Sequence, residues 1–396
     1  MKIAYILAEQ IDINGTSGAS AHIRENIKHF RKAGHEVFLI TNSQNHLKKR
    51  ESKENKLVPN KSILLYSIIP NVLKIFVKNW RIRRSNQNLL LQNKQILDKC
   101  DIVYERDAFC NFEISNYCNK HQIPHVIECN GFFWGETGSP FHKSPVPTLY
   151  KKKHISKWLQ ADHLIAVSEN FKNKMIAEGV EPSKITVIHN GVDLEAHLGI
   201  SESEIKGLRQ KMGLENHIVI GFLGHILEKH RIDMLLESIK SLNDANYPVK
   251  GLIVGGGIWN KYQQQAVEIG IADKVVFTGP VEYAQVPLLV AIMDICTLPG
   301  CHDYDSPVKL FDYGAAKRPV VAVDFSNVQE IILDAKKGFL FKQGSTSNFV
   351  EKLKILINSQ STRNELGNNL FQTVESNHTW QKVAERTLGI FEQVIK

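Results

Sequence analysis

At 396 residues the chain is too long for one ordinary core and fits two domains of roughly 150–200 residues each. Hydrophobic residues at 43% and charged residues at 23% are globular values, no apolar run approaches the ~20 residues that span a bilayer, and the six cysteines include no C-x-x-C pair, which argues against a membrane span, a disulfide framework and structural zinc. The net charge of +8 is lopsided: positions 1–195 hold 28 Lys+Arg against 19 Asp+Glu and the remainder 21 against 22, and with no zinc-finger, RNP-type or basic-zipper pattern present this surplus points to a polyanionic or membrane-bound partner and not to nucleic acid.

MKIAYILAEQ opens with a short apolar run and then an acid, which reads as a first strand and not a signal peptide, so the chain is expected in the cytoplasm. The loop INGTSGAS, with Gly15 and Gly18, leads into a helix whose Ile23, Ile27 and Phe30 share one face. A glycine turn here admits a phosphate or sugar to the backbone, but G-x-x-G lacks the dinucleotide spacing, which disfavours a dehydrogenase. SILLYSI reads as a strand. From Ile69 to Trp80, Ile69, Val72, Leu73, Phe76, Val77 and Trp80 fall on one helix face and Lys74, Lys78 and Arg81 on the other. Between Lys48 and Arg84, 11 Lys+Arg stand against Glu51 and Glu54, so this stretch carries the basic excess. It fits a segment docking on the anionic cytoplasmic leaflet; the alternative is that its apolar residues pack into the first domain and its charges are merely solvated.

DIVYERDA, HVIEC and HLIAV read as short buried strands separated by helical segments, the rhythm of a parallel sheet. VSENFKNKM gives a capped helix, KITVIH a strand and Asn190-Gly191 a turn, where simple turn chemistry is favoured over ligand contact for Asn190 and Asp193. The Ser- and Glu-rich segment near Glu202 is the expected boundary, giving domains over 1–200 and 201–375 and a terminal helical segment over 376–396. The second half starts again with the strand HIVIGFLG, the loop HILEKHR and the helix DMLLESIKSL, then GLIVGGGIWNKY and KVVFTGPVEYAQVPLLVAIMDICTLP. Two halves of one rhythm suggest a ligand cleft between them. In SPVKLFDYGAAKRPVVAV, Ser306 suits an N-cap and Pro307 the first helical position, so the N–H groups of Val308, Lys309 and Leu310 are expected to face outward as a phosphate seat. Lys309 adds a full charge, and Asp312 is placed to accept hydrogen bonds from sugar hydroxyls. A capped helix with a stabilising Lys and Asp would read the same.

SPVKLFDYGAAKRPVVA resembles the signature of the family 4 retaining glycosyltransferases, S-P-x-K-L-F-E-Y-x-A-A-x-x-P-V-V-A, with Asp312 in place of Glu. SGASAHIRENIKHFRKAGHEVFLIT is similar to the same family's G-G-x-x-x-H…L-x-x-x-G-H-E-V opening, matching at Gly18, His22, Gly34 and His35 with Ser17 for the first glycine. DIVYER and VIECNG resemble a strand end and loop of one branch, VSEN…NGVD its hallmark, and Gly279-Pro280-Val281 its F-x-G-x-V turn. GHILEKHR stands where G-R-L-x-x-x-K-G is usual, with His225 at the Arg position and His230 at the Lys position.

The resemblance implies a GT-B fold of α/β class: two facing Rossmann-like domains with parallel sheets and the active site in the cleft. It implies transfer of a sugar from a nucleoside diphosphate sugar to an acceptor hydroxyl with retention, by front-face attack in which the leaving diphosphate takes the acceptor proton. No cofactor besides that co-substrate, and no metal, is expected. Donor contacts are expected at Gly18, Lys229, His230, Arg231, Val281, Ser306, Pro307, Val308, Lys309, Leu310 and Asp312, the last holding the ribose. Glu128, Asn130 and Glu136 fall on the acceptor side, and Asn130, Lys309 and Asp312 are the catalytic candidates. Two departures count against this: Asn130 stands where many members have a His and cannot shuttle a proton, and Tyr304 stands where many have an acid. They motivate two other readings, a non-catalytic subunit partnering an active transferase and a sugar-nucleotide epimerase of the same fold. If the basic segment docks on a membrane, the acceptor is a lipid-linked sugar of a bacterial envelope polysaccharide.

Overall fold

The computed structural model describes residues 1–9, 11–15, 18–42, 71–134 and 146–396, with backbone alone at 71–73. The expected strand SILLYSI, much of the basic stretch and Glu136 lie outside the described residues. The chain divides into two compact units, one built from 1–15, 19–188 and 384–396, the other having 189–383 as its body. The division falls at Ile188/His189, ahead of the Ser- and Glu-rich segment.

In the first unit six strands, β1 (Lys2–Leu7), β2 (Glu36–Thr41), β3 (Ile102–Arg106), β4 (His125–Cys129), β5 (His163–Ala166) and β6 (Ile185–Val187), form a parallel sheet in the order β2-β1-β3-β4-β5-β6. Runs such as IAYIL and IVY are buried from end to end because helices cover a parallel sheet on both faces. Helix α1 (Gly18–Lys32) buries Ile23, Ile27 and Phe30 as its periodicity predicts. Phe30 packs against Tyr104 at 6.0 Å between ring centroids, and Phe391, within residues 384–396, lies 5.7 Å from Phe30 and 5.2 Å from Tyr104.

Helix α2 (Asn71–Leu97) is longer than its sequence pattern suggested and turned over in part. Phe76 and Trp80, expected on a packed face in the alternative reading, are 52% and 50% exposed, while Asn86 is buried. That exchange is possible because the Asn86 amide is satisfied: its Oδ1 accepts from Asn42 at 3.2 Å and its Nδ2 donates to the Cys110 carbonyl at 3.2 Å.

Helix α3 (Glu113–His121) and helix α4 (Pro147–Gln160) flank the β3 end. Here Lys157, with its ammonium wholly buried, lies 2.6 Å from both Glu105 and Asp107. His125 closes on Glu105 at 3.0 Å, and His154 and Trp158 on Asp107 at 2.8 and 2.9 Å. Burial alone would favour neutral forms; these partners outweigh it, holding the Asp107 carboxyl well below and the Lys157 ammonium above their ordinary ranges. Helix α5 (Glu169–Ala177) is N-capped by Ser168, as VSEN predicts.

The second unit repeats the plan with β7 (Ile218–Leu223), β8 (Val249–Val254), β9 (Val275–Gly279), β10 (Ile295–Leu298), β11 (Val320–Val323) and β12 (Phe339–Phe341) in the order β12-β11-β10-β7-β8-β9, again all parallel. Two six-stranded parallel sheets of α/β type are the class expected from the sequence.

Candidate functional site

In the second unit the C-terminal ends of β7 and β8 carry two loops packed backbone to backbone. Gly255 has φ +128°, and a Cβ there would lie 2.2 Å from the Gly224 carbonyl; a Cβ on Gly257 would lie 2.3 Å from that of Ile226. Only glycine lets these loops touch, so GLIVGGG is a packing requirement as much as a turn. Gly224 itself, at φ +131°, has the Lys309 side chain directly above it, where a Cβ would meet Cε at 3.3 Å.

Lys309 opens helix α7 (Lys309–Ala315); the short helix α6 (Leu194–Leu198) lies far earlier in the chain, with several other helices between the two. The expected N-cap at Ser306 is not formed. Its Oγ accepts instead from the Asn190 N–H at 3.3 Å, the Val308 N–H donates to the Ser306 carbonyl and the Leu310 N–H to that of Pro307. Of the three N–H groups read as a phosphate seat, only that of Lys309 lacks a partner among the described residues. A tight turn through Pro307 consumes the others, so the seat rests on the Lys309 side chain. Its ammonium lies 5.3 Å above the Phe222 ring centre, with no hydrogen bond or ion pair to it among the described residues. Burial, opposed by Cys301 and reinforced by Lys229, pushes it down to about 8.

The other expected cations are differently disposed. Lys229 is bound to Asp305 at 2.6 Å. Arg231 turns to Asp233, its Nε and Nη2 donating at 3.0 and 2.9 Å, and is half exposed. His230 is buried; burial, then Lys309 and Lys229, pushes it down to about 2, so its imidazole is neutral, and Nδ1 accepts from the Leu227 N–H at 3.2 Å. Asn327, wholly buried, donates to the carbonyls of His302 and Asp305 and so fixes the loop bearing Tyr304, whose ring stacks on His302 at 5.1 Å. Val281 is partly buried against the unit's core beside Gly279, itself at φ +65°.

Asp312 is buried, with Oδ1 3.3 Å from the His197 Nε2 on α6, and Oδ2 has no partner among the described residues. His197 escaped the sequence reading because its partner is 115 positions away. The remainder of the signature is structural: the Tyr313 hydroxyl accepts from the Leu223 N–H at 2.9 Å and donates to the Thr297 carbonyl, pinning α7 to β7 and β10, and a Cβ on Gly314 would strike Val374. Asp193 caps α6 through the Ala196 N–H, the turn chemistry expected of it.

In the first unit Asn130 follows β4 and its Nδ2 donates to Glu128 Oε1 at 2.7 Å. Glu128 is only 2% exposed and fully engaged: Tyr104 donates to it at 2.5 Å, His22 lies at 3.0 Å and Arg106 at 3.2 Å. Burial disfavours its charge, but His22, Arg106 and these hydrogen bonds hold the carboxyl well below the usual range. Glu128 therefore orients Asn130 and His22 and presents no free oxygen of its own. Gly18 is exposed at the start of α1, with open space where a side chain would be. The preceding loop is clamped by Arg24, which donates to the carbonyls of Ile13 and Gly15.

Residues 16–196 match the family model Glycosyltransferase Family 4, and residues 204–373 match Glycosyl transferases group 1. The chain is 22% identical over 408 residues to an uncharacterized glycosyltransferase of Methanocaldococcus jannaschii, covering 100% of this chain and 99% of that one. It is 24% identical over 261 residues to the capsular polysaccharide biosynthesis glycosyltransferase CapM of Staphylococcus aureus, covering 63% and 66%. Among solved structures, Anabaena HepE in complex with UDP superposes with a TM-score of 0.74 at 16% identity, over 99% of this chain and 100% of that one. WaaG, a glycosyltransferase of lipopolysaccharide biosynthesis, gives 0.70 at 16% identity, over 98% and 99%. At such identities the structural likeness shows the fold.

Proposed function

The chain belongs to the group 1 glycosyltransferases, with a GT-B fold, and from that premise we propose that it transfers a sugar from a nucleoside diphosphate sugar to an acceptor hydroxyl with retention of configuration. The observation that carries this reading is Lys309: a cation held over the bare backbone of Gly224, without a carboxylate partner among the described residues, is a site waiting for an anion. A diphosphate there is met by the ammonium and by the adjacent Lys309 N–H. Asp312, steadied by His197 on one oxygen, keeps the other for ribose hydroxyls. As the anomeric carbon to phosphate oxygen bond breaks, the charge gathering on the diphosphate is offset by Lys309. The acceptor oxygen bonds the same face of that carbon, and its proton passes to the departing phosphate oxygen. Asn130, fixed by Glu128, orients a hydroxyl and moves no proton. UDP-glucose, bound in a HepE structure, is the first donor to try.

Envelope polysaccharide synthesis at a membrane is the setting we infer, supported by the likeness to CapM and by α2. That helix carries six Lys and Arg and no acid, beside half-exposed Phe76 and Trp80. Each basic residue near an anionic leaflet contributes ~1 kcal/mol. Among the described residues no helix is long and apolar enough to cross a membrane.

The test is mass spectrometry of purified protein with a panel of nucleotide sugars and candidate acceptors, with the anomeric configuration of product read by proton NMR. Nucleotide binding without turnover would identify a non-catalytic subunit; altered sugar released without acceptor would identify an epimerase. Co-sedimentation with anionic liposomes at low and high salt, wild type against Lys74, Lys78, Arg81 and Arg84 all changed to Gln, tests the membrane setting. Equal recovery of both proteins at low salt would refute it.

A further inference from the structure

A cavity of about 130 Å³ opens in the first unit where α2, α3 and α4 meet, lined among others by Arg83, Asn116, Lys153, Ser156 and Lys157. The helices that supply its cations are unusually one-sided: α2 carries six Lys and Arg and α4 four Lys, with no Asp or Glu on either. Lys157 forms part of the wall but its ammonium is consumed by Glu105 and Asp107. The other donors are spare. Arg83 gives only its Nε to Glu113, at 2.8 Å, which leaves both terminal nitrogens unpartnered among the described residues; the Lys153 ammonium and the Asn116 side-chain amide likewise have none. The Ser156 hydroxyl accepts from Gln160 and keeps its own proton to donate. Two full charges and two neutral donors around a space of this size match a phosphoryl group, whose oxygens a guanidinium meets with parallel hydrogen bonds.

We propose that this cavity binds the phosphoryl group of an anionic lipid headgroup. The lipid is favoured over a soluble ester because Trp80, 50% exposed with Arg84 stacked over its ring at 5.2 Å, lies one turn from Arg83 on α2, and an exposed Trp is the side chain that settles at headgroup depth. The inference rests on the membrane setting proposed above but adds a requirement that diffuse attraction does not make: the headgroup must carry phosphate.

The experiment compares flotation with phosphatidylcholine vesicles containing either phosphatidic acid or oleic acid at matched surface charge. The proteins are wild type, the pair Arg83→Gln/Lys153→Gln, and the charge-matched pair Lys120→Gln/Lys152→Gln outside the cavity. Lys153→Gln alone, which leaves the Arg83 to Glu113 pair intact, guards against misfolding. Wild type and the outside pair should prefer phosphate-headed vesicles by at least about fivefold, and both cavity variants should lose that preference. Equal losses in the two pairs, or no headgroup preference in wild type, overturn the proposal. In a second arm, line broadening of the phosphorus NMR signal of glycerol 3-phosphate reports the cavity without any membrane. Binding there that depends on Arg83 and Lys153, with no vesicle preference, assigns the cavity to a soluble phosphate ester and removes the lipid. Failure of wild type to bind any anionic vesicle refutes the membrane setting itself.

Discussion

Replacing Lys309 with Met should make the unliganded protein more stable and its ligand weaker. The ammonium is displaced from its ordinary 10.5 to about 8, so the folded protein holds that charge at a cost. At ~1.4 kcal/mol per pKa unit the displacement amounts to roughly 3.5 kcal/mol, which solvent at the partly exposed side chain trims to about 1–2 kcal/mol. Met keeps the stem over Phe222 and drops the charge, so the unfolding midpoint should rise by about 2–8 °C near neutral pH. The cost is in full force below about 8 and fades as pH climbs toward 10.5, so wild type should close the gap on the variant across that window. Donor binding should move the other way. A charged hydrogen bond to phosphate is worth ~1.5–3 kcal/mol, so nucleoside diphosphate affinity should fall roughly tenfold to a hundredfold in the variant. In wild type the affinity should decline as pH rises above about 8, where binding must take up a proton, and in the variant it should stay flat. Scanning fluorimetry and titration calorimetry at neutral pH and near pH 10 measure both. A variant that is less stable at neutral pH and binds nucleoside diphosphate as tightly as wild type would refute the assignment of Lys309.

Asp312→Asn should reduce donor affinity or turnover at least about tenfold, by losing a charged acceptor worth ~1.5–3 kcal/mol, with little change in the unfolding midpoint; unchanged kinetics would remove Asp312 from the site. Activity should persist in excess chelator, because Lys309 supplies the charge that a divalent ion would otherwise bring, and full loss restored only by such an ion would contradict this. Glu128→Gln should destabilise the first unit by about 3–5 kcal/mol, since it leaves Arg106 and His22 without their buried carboxylate. Because the Glu128 carboxyl is held below its ordinary value, its contribution is present above about pH 4.3 and lost as pH falls further, so urea midpoints of wild type and variant should converge in acid.

The strands were legible because buried parallel strands leave unbroken apolar runs, IAYIL and VVAV among them, and the glycine loops because no other residue tolerates their contacts. The Lys309 and Asp312 pair was legible as well, since both lie on one local motif. What escaped depends on distance. His197 steadies Asp312 from 115 positions away, and Ser306 spends its hydroxyl on Asn190, 116 positions back, so the local rule for an N-cap lost to a long-range bond. Helix α2 stayed open for the opposite reason: periodicity marks an apolar stripe but not whether the protein covers it, and the buried side is held by Asn86 through Asn42 and Cys110. Lys229 and Arg231 were expected to meet the donor, and a sequence does not reveal that Asp305 and Asp233 pair with them.

The placement of Phe391 between Phe30 and Tyr104 bears on how the protein is made. Residues 1–188 leave the ribosome first, yet their core lacks a ring that is translated only after the whole of 189–383. At ordinary elongation rates of about 5–20 residues per second, the finished 1–188 segment waits roughly 10–40 s for it. As that interval closes, the second unit already has everything it needs to fold, and the first does not. The nascent first unit is thus the natural client for a chaperone, and removing 384–396 would leave every newly made molecule in that waiting state.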